Sequence, residues 1–173
     1  MNPPFQVRLA TNADCKLLPD IETSAGQSFA DIGMHDVAGG SAPPPEAWEP
    51  YCESATLFVA VDKTDRPFAF LASGAHGDIL FIYELAVEYG RQRQGAGRAL
   101  IAAAEVKAKA LGLSAVYLTT FCDVPFNGPY YARLGYAVVD DADLPGSLRP
   151  VMDAERRRFP EPDRARCAMK KPV

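Results

Sequence analysis

A chain of 173 residues that is 48% hydrophobic can bury about two-thirds of its unfolded surface in one core, so residues 1–173 read as a single globular domain. A net charge of −4, from 18 Lys and Arg against 22 Asp and Glu, excludes a general nucleic-acid binder, because neutralising phosphates needs a basic face. Four cysteines far apart in sequence and only two histidines set a resident metal aside and leave the thiols as small buried side chains of a reducing compartment.

The opening Met1 to Ala10 has no basic segment followed by an apolar one, and no apolar run reaches membrane-spanning length. A cytoplasmic protein without a membrane partner is expected. Residues 5–9 alternate Phe, Val and Leu with Gln and Arg, the period of a half-buried strand, and Thr11, Asn12 and Asp14 then offer helix caps. The spacing of Leu17, Leu18 and Ile21 extends that helix to about Phe29. Gly33, Gly39, Gly40 and Pro43 to Pro45 then break regular structure. Phe29, Met34, His35 and Trp48 on this loop-rich stretch are candidates for a variable pocket.

Residues 56–62 and 67–76 read as a hairpin around the turn residues 63–66, and residues 78–87 as a further apolar strand. The period then changes. Residues 98–111 carry Leu100, Ile101, Ala104 and Ala108 at helical spacing and stop at Gly112. Residues 114–121 return as a strand, so a strand, glycine turn, helix and strand follow one another with parallel pairing expected. A short helix over 127–134, a strand over 135–139, a helix around 148–158 and a last strand over 166–171 complete the chain.

Between the strand and the alanine-rich helix lies Arg91-Gln92-Arg93-Gln94-Gly95-Ala96-Gly97-Arg98. Glycines at that place let backbone N–H groups converge at a helix N-terminus, where the dipole favours an anion. A dinucleotide fingerprint would need a third glycine where Leu100 stands, and a P-loop would need Lys and Ser or Thr where Arg98 and Ala99 stand. Both readings fail.

Gln92-x-x-Gly95-x-Gly97, preceded by Glu84-Leu85-Ala86-Val87 and followed by Arg98-Ala99-Leu100, resembles the acyl-CoA-binding motif of the GNAT acetyltransferases. Tyr130-Tyr131-Ala132-Arg133-Leu134-Gly135-Tyr136 is similar to that family's Phe-Tyr-x-x-x-Gly-Phe signature, at the usual separation. By order of elements the resemblance covers Val7 to Lys171, with specific motifs between Glu84 and Tyr136. It implies an α/β (α+β) fold with a mixed central sheet of about six to seven strands flanked by helices, acetyl-CoA as co-substrate, and transfer to an amine by direct attack in a ternary complex. The acceptor is expected to be a primary amine of a small molecule, an amino acid derivative or a peptide N-terminus. A sheet edge open to a second subunit makes a homodimer the expected assembly.

The same resemblance assigns roles. Backbone of Gln94, Gly95, Ala96, Gly97 and Arg98 would hold the pyrophosphate, with Gln92 and Arg93 in the same motif and Arg91, Arg93 and Arg98 as candidates for the outer phosphates. Leu85, Ala86 and Val87 would bond the pantetheine amides as a pseudo-strand. Tyr131 is the candidate acid for the leaving thiolate, Tyr130 a packing aromatic, and Asn127 a helix cap and candidate pantetheine contact. Glu84, a carboxyl interrupting an apolar strand, is the candidate base. Glu22 is a second candidate base on the acceptor side, with Phe29 and Phe121 as substrate-binding candidates. Where some relatives carry a glutamate on the fifth strand, this chain has Thr119 and Thr120. Two other readings stand beside the enzyme: a catalytically silent acyl-CoA sensor, and a phosphate-binding α/β module unrelated to acyl transfer.

Overall fold

The computed structural model describes residues 4–160 and 164–173; Met1 to Pro3, at the start of the segment read for a leader, lie outside the described residues. Seven strands form a sheet in the order β1-β2-β3-β4-β5-β7-β6, the mixed α/β sheet expected from the resemblance. The chain divides into two compact units, Met1–Gly74 with Glu84–Lys107, and Ala75–Tyr83 with Ala108–Val173.

In the first unit β1 (Gln6–Leu9) runs antiparallel to β2 (Leu57–Val61), and β2 runs antiparallel to β3 (Pro67–His76). The β2–β3 turn is set by Asp62, whose Oδ1 accepts from the Thr64 N–H at 2.8 Å and the Thr64 hydroxyl at 2.7 Å, the local side-chain bonding that makes Asp a turn residue. The single helix expected up to Phe29 is three short ones: α1 (Asn12–Cys15), α2 (Leu18–Ala25) and α3 (Gln27–Ala30). Pro19 accounts for the first break, because its ring would collide with the Cys15 carbonyl in a continuous helix. Thr11 and Asp14 form a capping box at the start of α1, and the Asp14 carboxylate also accepts from Arg8 at 2.7 Å.

α4 (His35–Ala38), a 3-10 turn over Pro45–Trp48 and α5 (Glu49–Glu53) follow. Trp48 and Met34, expected to line a pocket, are only 5% and 7% exposed. Trp48 packs 5.1 Å from the Phe70 ring in a core that includes Cys15, Leu18, Ile21, Leu57, Val59 and Ala86. A large indole is worth more in the core than at a loop tip, and here the loop supplies a core side chain.

β4 (Ile79–Val87) leads through the glycine turn into α6 (Ala96–Ala110), which starts two residues earlier than its apolar spacing suggests and buries Leu100, Ile101, Ala104 and Ala108 at 2% exposure or less. In the second unit β4 pairs in parallel with β5 (Ala115–Phe121), Ile79 opposite Ala115 and Ile82 opposite Leu118. α7 (Gly128–Arg133) follows β5, and the strand expected over 135–139 shortens to β6 (Ala137–Val138). α8 (Arg149–Arg158) and β7 (Arg166–Pro172) lie as the sequence indicates, with β7 antiparallel to both β5 and β6. Ile79, Phe81, Ala115, Tyr117, Leu148 and Met152 form this unit's core. α7 approaches the end of β5 so closely that a Cβ on Gly128 would stand 2.1 Å from the Cys122 carbonyl oxygen; only glycine permits that approach.

Candidate active site

The glycine turn has the backbone an anion site needs. Gly95 has φ +91° with open space around it, and Arg93 has φ +60°, a left-handed conformation uncommon for a residue with a side chain. The first bond closing α6 runs from the Ala99 N–H to the Gly95 carbonyl at 3.0 Å. The N–H groups of Gly95, Ala96, Gly97 and Arg98 therefore have no intrahelical carbonyl to reach. Arg93, Gln94 and Arg98 are exposed around the turn. Arg91 differs from its two neighbours: its guanidinium lies 4.1 Å from the Phe68 ring centroid, a cation–π contact that turns it toward β3.

Gln92 braces the turn through its side chain. Its Nε2 donates to the Val87 carbonyl at 3.1 Å, and its Oε1 accepts from the Ser28 hydroxyl at 2.8 Å. Tyr89 adds two further ties, its N–H donating to Ser24 Oγ at 3.0 Å and its hydroxyl to Asp31 at 2.7 Å. α2 and α3 are thus bound to the segment that leads into the turn. Ser24, Ser28, Asp31 and Tyr89 carry no sequence signal for this, since the partners stand 58 to 65 positions apart.

The same unit brings Glu22 and Glu84 together. Glu84 lies on β4, half-buried, with its Oε1 accepting from the Leu85 N–H at 3.2 Å. Glu22 lies on α2, and its Oε2 is buried without a hydrogen-bond partner. Burial, and after it repulsion from Glu84, push the Glu22 carboxyl from an ordinary 4.5 up to about 7. Desolvation penalises the charged form, and a like charge adds to it. Glu22 is therefore no solvated helix residue but a partly buried carboxyl near enough to Glu84 to feel its charge. Leu85 and Val87 are half-buried, Ala86 is 2% exposed within the core, and Phe29 is half-buried on α3.

In the second unit Tyr131 sits on α7, its ring edge-on to Tyr130 at 5.3 Å and to Tyr136 at 6.0 Å. Asn127 holds the cap position of α7, yet its side chain makes no capping bond. Its Oδ1 instead accepts from the Thr120 hydroxyl at 2.8 Å, which corrects the capping bond expected for it and ties the start of α7 to β5. Thr119 finds the carboxylate that its own strand lacks: its hydroxyl donates to Glu155 Oε1 at 2.8 Å, while Glu155 Oε2 accepts from Arg166 Nε at 2.9 Å. That pairing ties Thr119, Glu155 and Arg166 into one network. Phe121 is 3% exposed, with the Arg166 guanidinium 4.4 Å from its centroid and Phe159 at 5.0 Å. Its ring lies beneath the Arg166 guanidinium. No group of three or more His, Cys, Asp or Glu that could hold a metal occurs among the described residues.

Several solved structures share this fold. The PaiA N-acetyltransferase from Thermoplasma acidophilum, in complex with coenzyme A, superposes with a TM-score of 0.70 at 12% identity over 98% of this chain and 99% of that one. The ribosomal-protein-S18-alanine N-acetyltransferase from Escherichia coli gives 0.69 at 16% identity, over 98% and 94%. The N-acetylglutamate synthase from Neisseria gonorrhoeae, complexed with coenzyme A and N-acetyl-glutamate, gives 0.69 at 18% identity over 98% of this chain but 35% of that protein, so the chain spans about a third of its length. In sequence, residues 28–136 match the model of the Acetyltransferase (GNAT) family, a span that takes in the glycine turn, Glu84 and Tyr131, and the chain belongs to that family.

Proposed function

We propose that this GNAT acetyltransferase moves the acetyl group of acetyl-CoA to a primary amine of a small molecule, an amino acid derivative or a peptide N-terminus, by direct attack in a ternary complex and within one catalytic domain. The observation that carries this reading is the carboxyl pair of Glu22 and Glu84 beside the segment that enters the glycine turn.

The turn suits the coenzyme. Four N–H groups at the start of a 15-residue helix, with no side chain at Gly95 to cover them, favour phosphate oxygens. Gln94, Gly95, Ala96, Gly97 and Arg98 would hold the pyrophosphate, and exposed Arg93 and Arg98 would meet outer phosphates. Leu85 and Ala86 offer backbone groups to the pantetheine arm. Acetyl-CoA supplies the activated acyl group as a thioester.

An amine reaches the enzyme mainly as an ammonium ion and must lose a proton before it attacks. A carboxyl that titrates near 7 is matched to that task at neutral pH. Glu84 supports it twice over, by keeping the Glu22 proton affinity high and by presenting negative charge to the incoming cation. Glu22 then takes the proton, Glu84 holds the ammonium before the transfer, and Tyr131 donates to the departing sulfur. N-acetyl-glutamate in one structural neighbour and an S18 alanine acceptor in the name of another support an amino acid or a peptide N-terminus as acceptor. The test is turnover of acetyl-CoA, read as thiol release, across a library of amines. Release that depends on an amine supports the proposal, and tight acetyl-CoA binding with no release for any amine would make the chain an acyl-CoA sensor instead.

A further inference from the structure

Cysteines that the sequence scatters are paired by the fold. Cys15 Sγ on α1 and Cys52 Sγ on α5 stand 3.4 Å apart. In the second unit the Cys122 and Cys167 thiols also interact. The second pair joins backbone already held together, since the Cys122 N–H donates to the Ala165 carbonyl at 2.8 Å. The first pair differs. Its 37-residue separation encloses α2, α3 and α4, and with them Glu22 and the serines that grip Tyr89 and Gln92.

We propose that Cys15 and Cys52 form a reversible dithiol–disulfide site that takes small disulfides as co-substrate and, when oxidised, closes a covalent latch across the segment that presents Glu22. Cys52 is half-buried and Cys15 is 1% exposed, so Cys52 meets the oxidant first. Its thiolate attacks one sulfur of the small disulfide, forming a mixed disulfide and expelling one small thiolate. The Cys15 thiolate then attacks Cys52 Sγ, the Cys15–Cys52 bond forms, and the second small thiol leaves. Two electrons and two protons pass from the protein pair to the small disulfide. Burial, then the partner thiol, push Cys52 up to about 12, and burial raises Cys15 as well, with Asp14 on α1 and Glu49 on α5 adding negative charge beside both. The exchange is therefore slow at neutral pH and quickens as pH rises.

The test treats the full chain with oxidised glutathione at alkaline pH, alkylates residual thiols and maps disulfide-linked peptides by mass. The expected result is a peptide pair joining Cys15 to Cys52, a loss of about 2 Da without a glutathione adduct, and a melting temperature raised by about 10 °C that dithiothreitol reverses. The Cys52→Ser variant should show neither the link nor the rise, and Cys122→Ser with Cys167→Ser should keep both. Should that double variant not fold, the peptide map of the unaltered chain decides. Cysteines 15 and 52 both still alkylated after oxidation, or a stable glutathione adduct at Cys52 with no link, would overturn the proposal.

Discussion

Replacing Glu22 with Gln keeps the shape of the protonated carboxyl and removes its titration. In the folded chain this carboxyl holds its proton up to about pH 7, against an ordinary 4.5. Between those values the folded state binds a proton that the unfolded state has released, so stability falls as pH rises through this window and stays reduced above it. Two to three pK units correspond to about 3 kcal/mol, and because Glu22 is only half-buried, solvent screening leaves about 1–2 kcal/mol. At pH 8 the variant should be more stable than the parent by that amount, a melting rise of about 2–8 °C for a chain of this size. At pH 4.5 the two should melt together. The same substitution should lower turnover by about 10²-fold and remove the limb of the pH–rate profile near 7. The assay is thermal melting at several pH values beside turnover at saturating acetyl-CoA. Equal melting differences at pH 4.5 and pH 8 would refute the burial argument. The expected melting pattern with an intact limb near 7 would refute Glu22 as the base.

Gly95→Val together with Gly97→Val should abolish acetyl-CoA binding measured by calorimetry while the fold persists, because φ +91° at Gly95 strains any β-branched residue and the new side chain covers the turn's N–H groups; unchanged affinity in the folded variant refutes the site. Tyr131→Phe should keep donor affinity and cut turnover by about 10²-fold with no recovery at high pH. Glu84→Gln should move the acidic limb of the pH–rate profile downward, since Glu84 helps to raise the Glu22 carboxyl, and a limb that stays in place separates the two carboxyls. Gly128→Ala should destabilise the chain by at least about 2 kcal/mol in denaturant melts, because the added carbon meets the Cys122 carbonyl at 2.1 Å.

Local chemistry was legible from residue order alone. The strands around β2, β3 and β5, the alanine-rich helix α6, the glycine turn and the tyrosine signature all declare themselves through period, turn residues and fixed short spacing, because each is decided by neighbours within a few positions. The break of the first helix at Pro19 was equally local, although the spacing of Leu17, Leu18 and Ile21 concealed it. Contacts between distant segments were not legible. Whether Glu22 faces water or Glu84, whether Asn127 caps its helix or meets Thr120, which carboxylate reaches Thr119, and which cysteine meets which depend on how elements pack, and nothing within a few residues of each position encodes the partner. Burial is likewise a property of the assembled core: it turns Trp48 from a loop aromatic into a core side chain, and it lifts Glu22 from an ordinary surface carboxyl to one that titrates near neutral pH. Sequence alone determined the family and the glycine turn, since these are written in short motifs, while tertiary structure decided which carboxyl is desolvated and holds its proton toward neutral pH, because proton affinity is set by desolvation and by charges brought near through folding.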